Sequence, residues 1–173
     1  NEERAREAYA QGSWVRETLA DVLARAASDA PDRVLVIDGS VRLDARNLHA
    51  QASVLAQVLA ARFPVGSVIS FMLPNWHEAA VIYMAVTLSG MVAHPILPSL
   101  REHDLCFMLK DVESRMIFIP DEFRGNQCSE ILARVVRQLD APPQVVVLRG
   151  DCGQYLAYGS LFEGVTPCPL PRP

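Results

Sequence analysis

The sequence predicts an α/β fold: a mainly parallel sheet with helices on both faces. Short, nearly all-apolar runs recur along the chain, of the kind found in strands covered on both sides. Amphipathic helical segments alternate with them, at the period that right-handed βαβ crossovers require. Cap and turn residues fall between the two kinds of segment.

Length and composition permit such a core. The 173 residues fit one domain, and half of them are hydrophobic with 21% charged, too apolar for disorder.

Thr18 with Asp21 makes a capping-box start for a helix over 19–28, ended by Pro31. Val34 to Ile37, the turn Asp38-Gly39, and Val41 to Leu43 form a hairpin. Asp44 caps the clearest amphipathic helix, in which Leu48, Ala52, Leu55, Leu59 and Phe63 share a face. Val68 to Leu73 is a buried strand closed by Pro74. Asn75 and Glu78 repeat the cap-and-box signal, opening a helix through Leu88 that Gly90 stops in the left-handed conformation. Met91 to Ile96 is the next strand. Ser99 with Glu102 opens a helix carrying Leu105, Leu109 and Val112, followed by strand Met116 to Ile119. Ile131 to Leu139 marks another helix, and Val145 to Leu148 a last strand.

The expected division is an N-terminal extension over 1–17, an α/β unit over 18–150, and a proline-rich linker over 151–173. The start, Asn1-Glu2-Glu3-Arg4, has neither a methionine nor the apolar stretch of a signal peptide, so a piece of a longer chain is expected. Ala79 to Leu97 runs without a formal charge at nearly membrane-spanning length. Gly90, His94 and Pro95 interrupt it, so a buried helix followed by a buried strand is expected, with no transmembrane segment. Four scattered cysteines without a C-x-x-C pair predict reduced thiols and a cytoplasmic protein.

Several functions are excluded on chemistry. A net charge of −4 with no basic run leaves no nucleic-acid footprint. No G-x-G-x-x-G brings backbone close to a pyrophosphate. Gly159 and Gly164 have P-loop spacing, but Val165 stands where lysine must be. Lys110, the only lysine, reads as a solvated charge near a helix end. His103 and Cys106 share a helical face, with His94 not far off, but lack a further ligand, so no metal site is expected. No G-x-S-x-G is present, and no catalytic residue is assigned. A free-standing flavodoxin-like binding module is the alternative of another class. It wants a hydroxyl-rich loop after the first strand, where Asp38-Gly39-Ser40 leads straight into a strand.

Three ordered blocks carry a family resemblance: Phe71-Met72-Leu73-Pro74-Asn75-Trp76-His77-Glu78, Ser89-Gly90-Met91-Val92-Ala93-His94-Pro95, and Leu100-Arg101-Glu102-His103-Asp104-Leu105. Together they resemble the N-terminal subdomain of adenylate-forming (AMP-binding) enzymes, among them acyl-CoA synthetases. Val41 to Leu48 and Thr87 to Pro98 are similar to the first two core motifs of that family. Phe107 to Arg115 and Pro120 to Gly125 look closest to cyclohexanecarboxylate- and medium-chain fatty-acid-CoA ligases. Leu73-Pro74-Asn75-Trp76 with Glu78 is also similar to aryl-acid adenylating ligases, the alternative within the class.

The resemblance implies that a carboxylic acid, ATP and Mg²⁺ give an acyl-adenylate, from which the acyl group passes to CoA. The family's Ser/Thr/Gly-rich phosphate loop and its C-terminal lysine have no counterpart in this sequence, which implies a truncated subdomain, inactive alone. Arg124, after the Asp121-Glu122 pair, matches an arginine that meets the phosphate-bearing end of CoA in the acetyl-CoA synthetase branch. Ser99 lies in the loop beside it. Asn75, Trp76 and His77 open a helix at the carboxyl end of a strand, where α/β sheets bind ligands, or simply cap and pack it. Helix faces left without a partner predict a homo-oligomer.

Overall fold

A computed structural model describes residues 2–166 and 168. Residues 167 and 169–173, part of the expected linker, lie outside the described residues.

The first described element is helix α1 (Glu2–Ala10), which carries no periodic apolar pattern and buries no residue. Helix α2 (Leu19–Asp29) starts on the expected capping box, with Thr18 Oγ1 accepting from the Asp21 amide and the Asp21 carboxylate accepting from the Thr18 amide. Strands β1 (Val34–Asp38) and β2 (Val41–Asp44) form the expected antiparallel hairpin, turned by Gly39 at φ 56°. Asp44 caps helix α3 (Ala45–Arg62), accepting from the Asn47 amide at 2.8 Å.

The main sheet comprises β3 (Val68–Phe71), β4 (Val92–Pro95), β5 (Met116–Pro120), β8 (Gln144–Leu148) and β9 (Leu156–Ala157), ordered β4-β3-β5-β8-β9. Every neighbouring pair is parallel. Helix α4 (His77–Leu88) joins β3 to β4, α5 (Glu102–Asp111) joins β4 to β5, and α6 (Cys128–Val136) precedes β8. Between β5 and α6 a small hairpin of β6 (Glu122–Phe123) and β7 (Asn126–Gln127) projects. The expected linker contributes β9 and a 3₁₀ turn over Tyr158–Phe162, whose Leu161 is buried.

Strand alternation splits the core in two, as a sheet covered on both faces requires. Ile69, Phe71, Met116, Phe118, Val146 and Leu148 pack with α2, α3 and α4. Met72, Ile117, Ile119, Val145 and Val147 pack with α5 and α6. All five residues of β5 are buried, and this strand is the centre of the sheet.

Two expected caps do not form. Helix α4 has Trp76 at its N-cap with no side-chain cap bond, and Asn75 is exposed. The His77 amide instead donates to Asp38 of the hairpin turn at 3.2 Å, a partner no local reading could supply. Helix α5 starts after Arg101, again uncapped, and Glu102 reaches away from Ser99 to Arg134 at 2.7 Å and Gln138 at 2.9 Å. Helix α6 starts and ends three residues before the expected Ile131 to Leu139, because its first amides are satisfied by the Asp121 carbonyl. No helix among the described residues is long and apolar enough to cross a membrane.

Candidate functional site

The chain runs from β3 outward to β4, then returns across β3 to β5 and continues to β8. Helices α4 and α6, which follow β3 and β5, therefore pack on opposite faces of the sheet, so the order reverses between the carboxyl ends of these two strands. Open α/β sheets bind ligands at such a reversal.

Arg149, the first residue after β8, organises this end. Its backbone is left-handed at φ 50°, which few non-glycine residues adopt. The guanidinium Nε donates to Glu78 Oε1 at 2.8 Å, and Nη2 donates to Glu78 Oε2 and Asp38 Oδ2, both at 2.7 Å. The guanidinium carbon lies 4.2 Å from the centre of the Trp76 indole, a cation–π contact. His77 Nδ1 lies 2.9 Å from Asp38 Oδ2. These bonds, the one from His77 first, hold the Asp38 carboxyl well below the usual carboxylate range. They also raise the Arg149 pKa, through Glu78 above all. Tyr158 packs edge-on to Phe118 at 6.2 Å, and burial pushes its phenol far up.

Asp38, His77 and Glu78 place one ligand atom each within 4.8 Å of one another, close enough to share a cation. Arg149 Nη2 already lies between the two carboxylates. The guanidinium is thus the cation of this cluster, and the triad does not fit a metal ion.

A second organiser, Asp121, follows β5. Its carboxylate accepts from Ser129 Oγ at 2.7 Å and from the Asp151 amide at 3.1 Å, and its carbonyl accepts from the Cys128 amide at 2.8 Å. Asp121 thereby ties the end of β5 to α6 and to the segment after β8. Gly150 makes the approach possible: at φ 145°, a Cβ there would stand 2.4 Å from Asp121 Cβ.

Arg124 sits in the tip of the β6–β7 hairpin at φ 51°, its guanidinium carbon 5.2 Å from the centre of the Phe123 ring. Among the described residues it pairs with neither Asp121 nor Glu122. Asp121 is engaged as above, and Glu122 accepts from the Gly125 amide and Gln127. Ser99 is exposed in the turn after β4. Both residues lie beyond carboxyl ends of the sheet, on either side of β3, and no hydrogen bond joins them among the described residues. Of the trio opening α4, Trp76 and His77 enter the Arg149 cluster and Asn75 does not. Lys110 lies at the opposite end, in a cleft of about 560 Å³ shared with Arg115 and Gln144, and pairs with Asp140 at 3.7 Å. His103 is solvent-exposed, its side chain 96% accessible.

Residues 23–165 match the family model described as AMP-binding enzyme. The chain belongs to the AMP-binding enzyme family. Among its AMP-binding relatives, the medium-chain fatty-acid–CoA ligase of Escherichia coli is 32% identical over 148 residues, 84% of this chain and 26% of that protein. The 2,3-dihydroxybenzoate–AMP ligase of Bacillus subtilis is 26% identical over 164 residues, 93% of this chain and 30% of that protein. The apo structure of Mycobacterium smegmatis MbtA superposes with a TM-score of 0.86 at 26% identity, over 100% of this chain and 32% of that one. The chain spans less than a third of each of these AMP-binding proteins.

Proposed function

We propose that this chain is the N-terminal α/β subdomain of an ATP-dependent acyl-CoA synthetase, serving as scaffold and as part of the CoA entrance. The family match over 23–165, together with 32% identity to a medium-chain fatty-acid–CoA ligase, carries this reading. In the whole enzyme a carboxylate and ATP, with Mg²⁺, would give acyl-adenylate and pyrophosphate, and the CoA thiol would then displace AMP.

The described residues do not fit the triphosphate. Transfer at phosphorus needs cations and N–H donors around the phosphate oxygens. The only lysine is at the wrong end of the sheet, and Arg149 is committed to two carboxylates. Arg124 suits a different task, because an unpaired guanidinium on an exposed turn can grip a phosphate bidentately. With Ser99 it would meet the phosphate-bearing end of CoA. On this reading 18–150 is the subdomain proper, 1–17 precedes it, and 151–173 leads toward the phosphate-loop region.

Within the class, an aryl-acid adenylating ligase is the second reading, favoured by the 93% of this chain that aligns with the 2,3-dihydroxybenzoate–AMP ligase. A cytoplasmic location fits the four unbridged cysteines. Exposed Val34, Ile37 and Val41 on one hairpin favour self-association.

Calorimetry on the 173-residue chain tests the scaffold reading. No ATP binding in the micromolar range is expected, and micromolar affinity would overturn it.

A further inference from the structure

Two serines and a histidine form a polar chain on the otherwise apolar face beneath α5 and α6. Ser70 in β3 and Ser114 just before β5 are buried, at 0% and 3% accessible. Their hydroxyl oxygens lie 2.7 Å apart. Ser70 Oγ is also 2.9 Å from Nδ1 of His94, its register partner on β4, and Ser114 Oγ is 3.0 Å from the Met116 carbonyl oxygen.

The contacts admit one arrangement of protons. A carbonyl oxygen only accepts, and two buried oxygens 3.0 Å apart repel unless a proton lies between them. The Ser114 hydroxyl must therefore donate to Met116. Its one proton spent, Ser114 can only accept from Ser70. Ser70, its proton spent in turn, can only accept from His94.

We infer that His94 is held as the Nδ1–H tautomer, so that Nε2 is a bare acceptor nitrogen on the edge strand of the sheet. Burial lowers the His94 pKa, which favours the neutral ring. Nε2 makes no protein hydrogen bond among the described residues. This nitrogen can accept from an O–H or N–H group, or take a proton, but at neutral pH it has nothing to donate to a phosphate or carboxylate. His94 is therefore an acceptor site for a hydroxyl, amide or amine, outside the Arg149 cluster and independent of the CoA reading of Arg124. The same chain ties the register of β3 to β4, because a one-residue slip of either strand would turn Ser70 or His94 to the other face.

Imidazole ¹⁵N NMR on the labelled full chain at neutral pH tests this, with His94 assigned by His94→Gln. The wild type should show Nδ1 protonated and Nε2 bare. In Ser114→Ala the Ser70 proton is released toward Nδ1, so the ring should switch to Nε2–H, whereas Ser114→Thr, which keeps the hydroxyl, should retain the wild-type pattern. Nε2–H in the wild type overturns the inference even if neither variant folds. An unchanged tautomer in a folded Ser114→Ala protein does so as well.

Discussion

Arg149 grips Glu78 with two hydrogen bonds, Nε to Oε1 at 2.8 Å and Nη2 to Oε2 at 2.7 Å, across 71 residues of sequence. The first residue after β8 is thereby fastened to the first turn of α4, while Asp38 brings in the β1–β2 turn. Three separate connections thus meet at the carboxyl end of the sheet.

Arg149→Ala should lower the melting temperature by a few degrees, more at low ionic strength than in 1 M salt, because the cluster is partly exposed and screened. Arg149→Lys should recover only part of the loss, since an ammonium cannot make the forked contact or stack equally well. In a Trp14→Phe background, Trp76 emission should report the loss of the stacked guanidinium. Unchanged melting and emission would show that the cluster holds nothing together.

Acid should weaken the same fastening. The Asp38 carboxyl is held below its ordinary value of 3.8, so the folded state keeps it ionised at a pH where the unfolded chain would take up a proton. Its contribution is fully present above that value and is lost as pH falls below about 4. Asp38→Asn should flatten the fall of melting temperature as pH drops below about 4, where the unfolded chain takes up the proton and the folded state does not. An equal slope in variant and wild type would remove Asp38 as its source.

Gly150→Ala should cost about 2 kcal/mol or more, since it combines left-handed backbone strain with a Cβ 2.4 Å from Asp121. For a chain of this length that lowers the melting temperature by about 4–8 °C. Gly153, also at positive φ but with open space at its Cβ, is the control, and Gly153→Ala should cost less. Equal losses would mean that the approach of Asp121 is not tight.

The frame was legible because its signals are local. The Thr18 box, the Asp44 cap, Gly39 and Gly90 each act within a few residues, and strands buried on both faces are apolar throughout. The misreadings at Asn75 and Ser99 share one cause: their amides or carboxylates found partners far along the chain, His77 in Asp38 and Glu102 in Arg134. The Arg149 cluster was invisible for the same reason. Its one trace in the sequence is a charged residue between a buried strand and Gly150. Helix α1 carries no apolar face, and β9 is only two residues long, too short for any period to show.

In the intact enzyme, Arg124→Ala should raise the Michaelis constant for CoA several-fold and leave acyl-adenylate formation nearly unchanged. Initial rates for the two half-reactions, measured separately, check this. An unaltered CoA dependence, or an equal loss in adenylation, would remove Arg124 from the CoA site.

Carboxylate-dependent pyrophosphate release by the whole protein decides whether this chain belongs to an acyl-CoA synthetase. The whole protein containing this chain is expressed and supplied with ATP and Mg²⁺, with and without octanoate or cyclohexanecarboxylate, then with CoA. Release is expected only with the acid present, with a CoA thioester as the final product. Release that ignores the carboxylate, or none with any acid of a broad aliphatic and aromatic panel, would contradict that assignment.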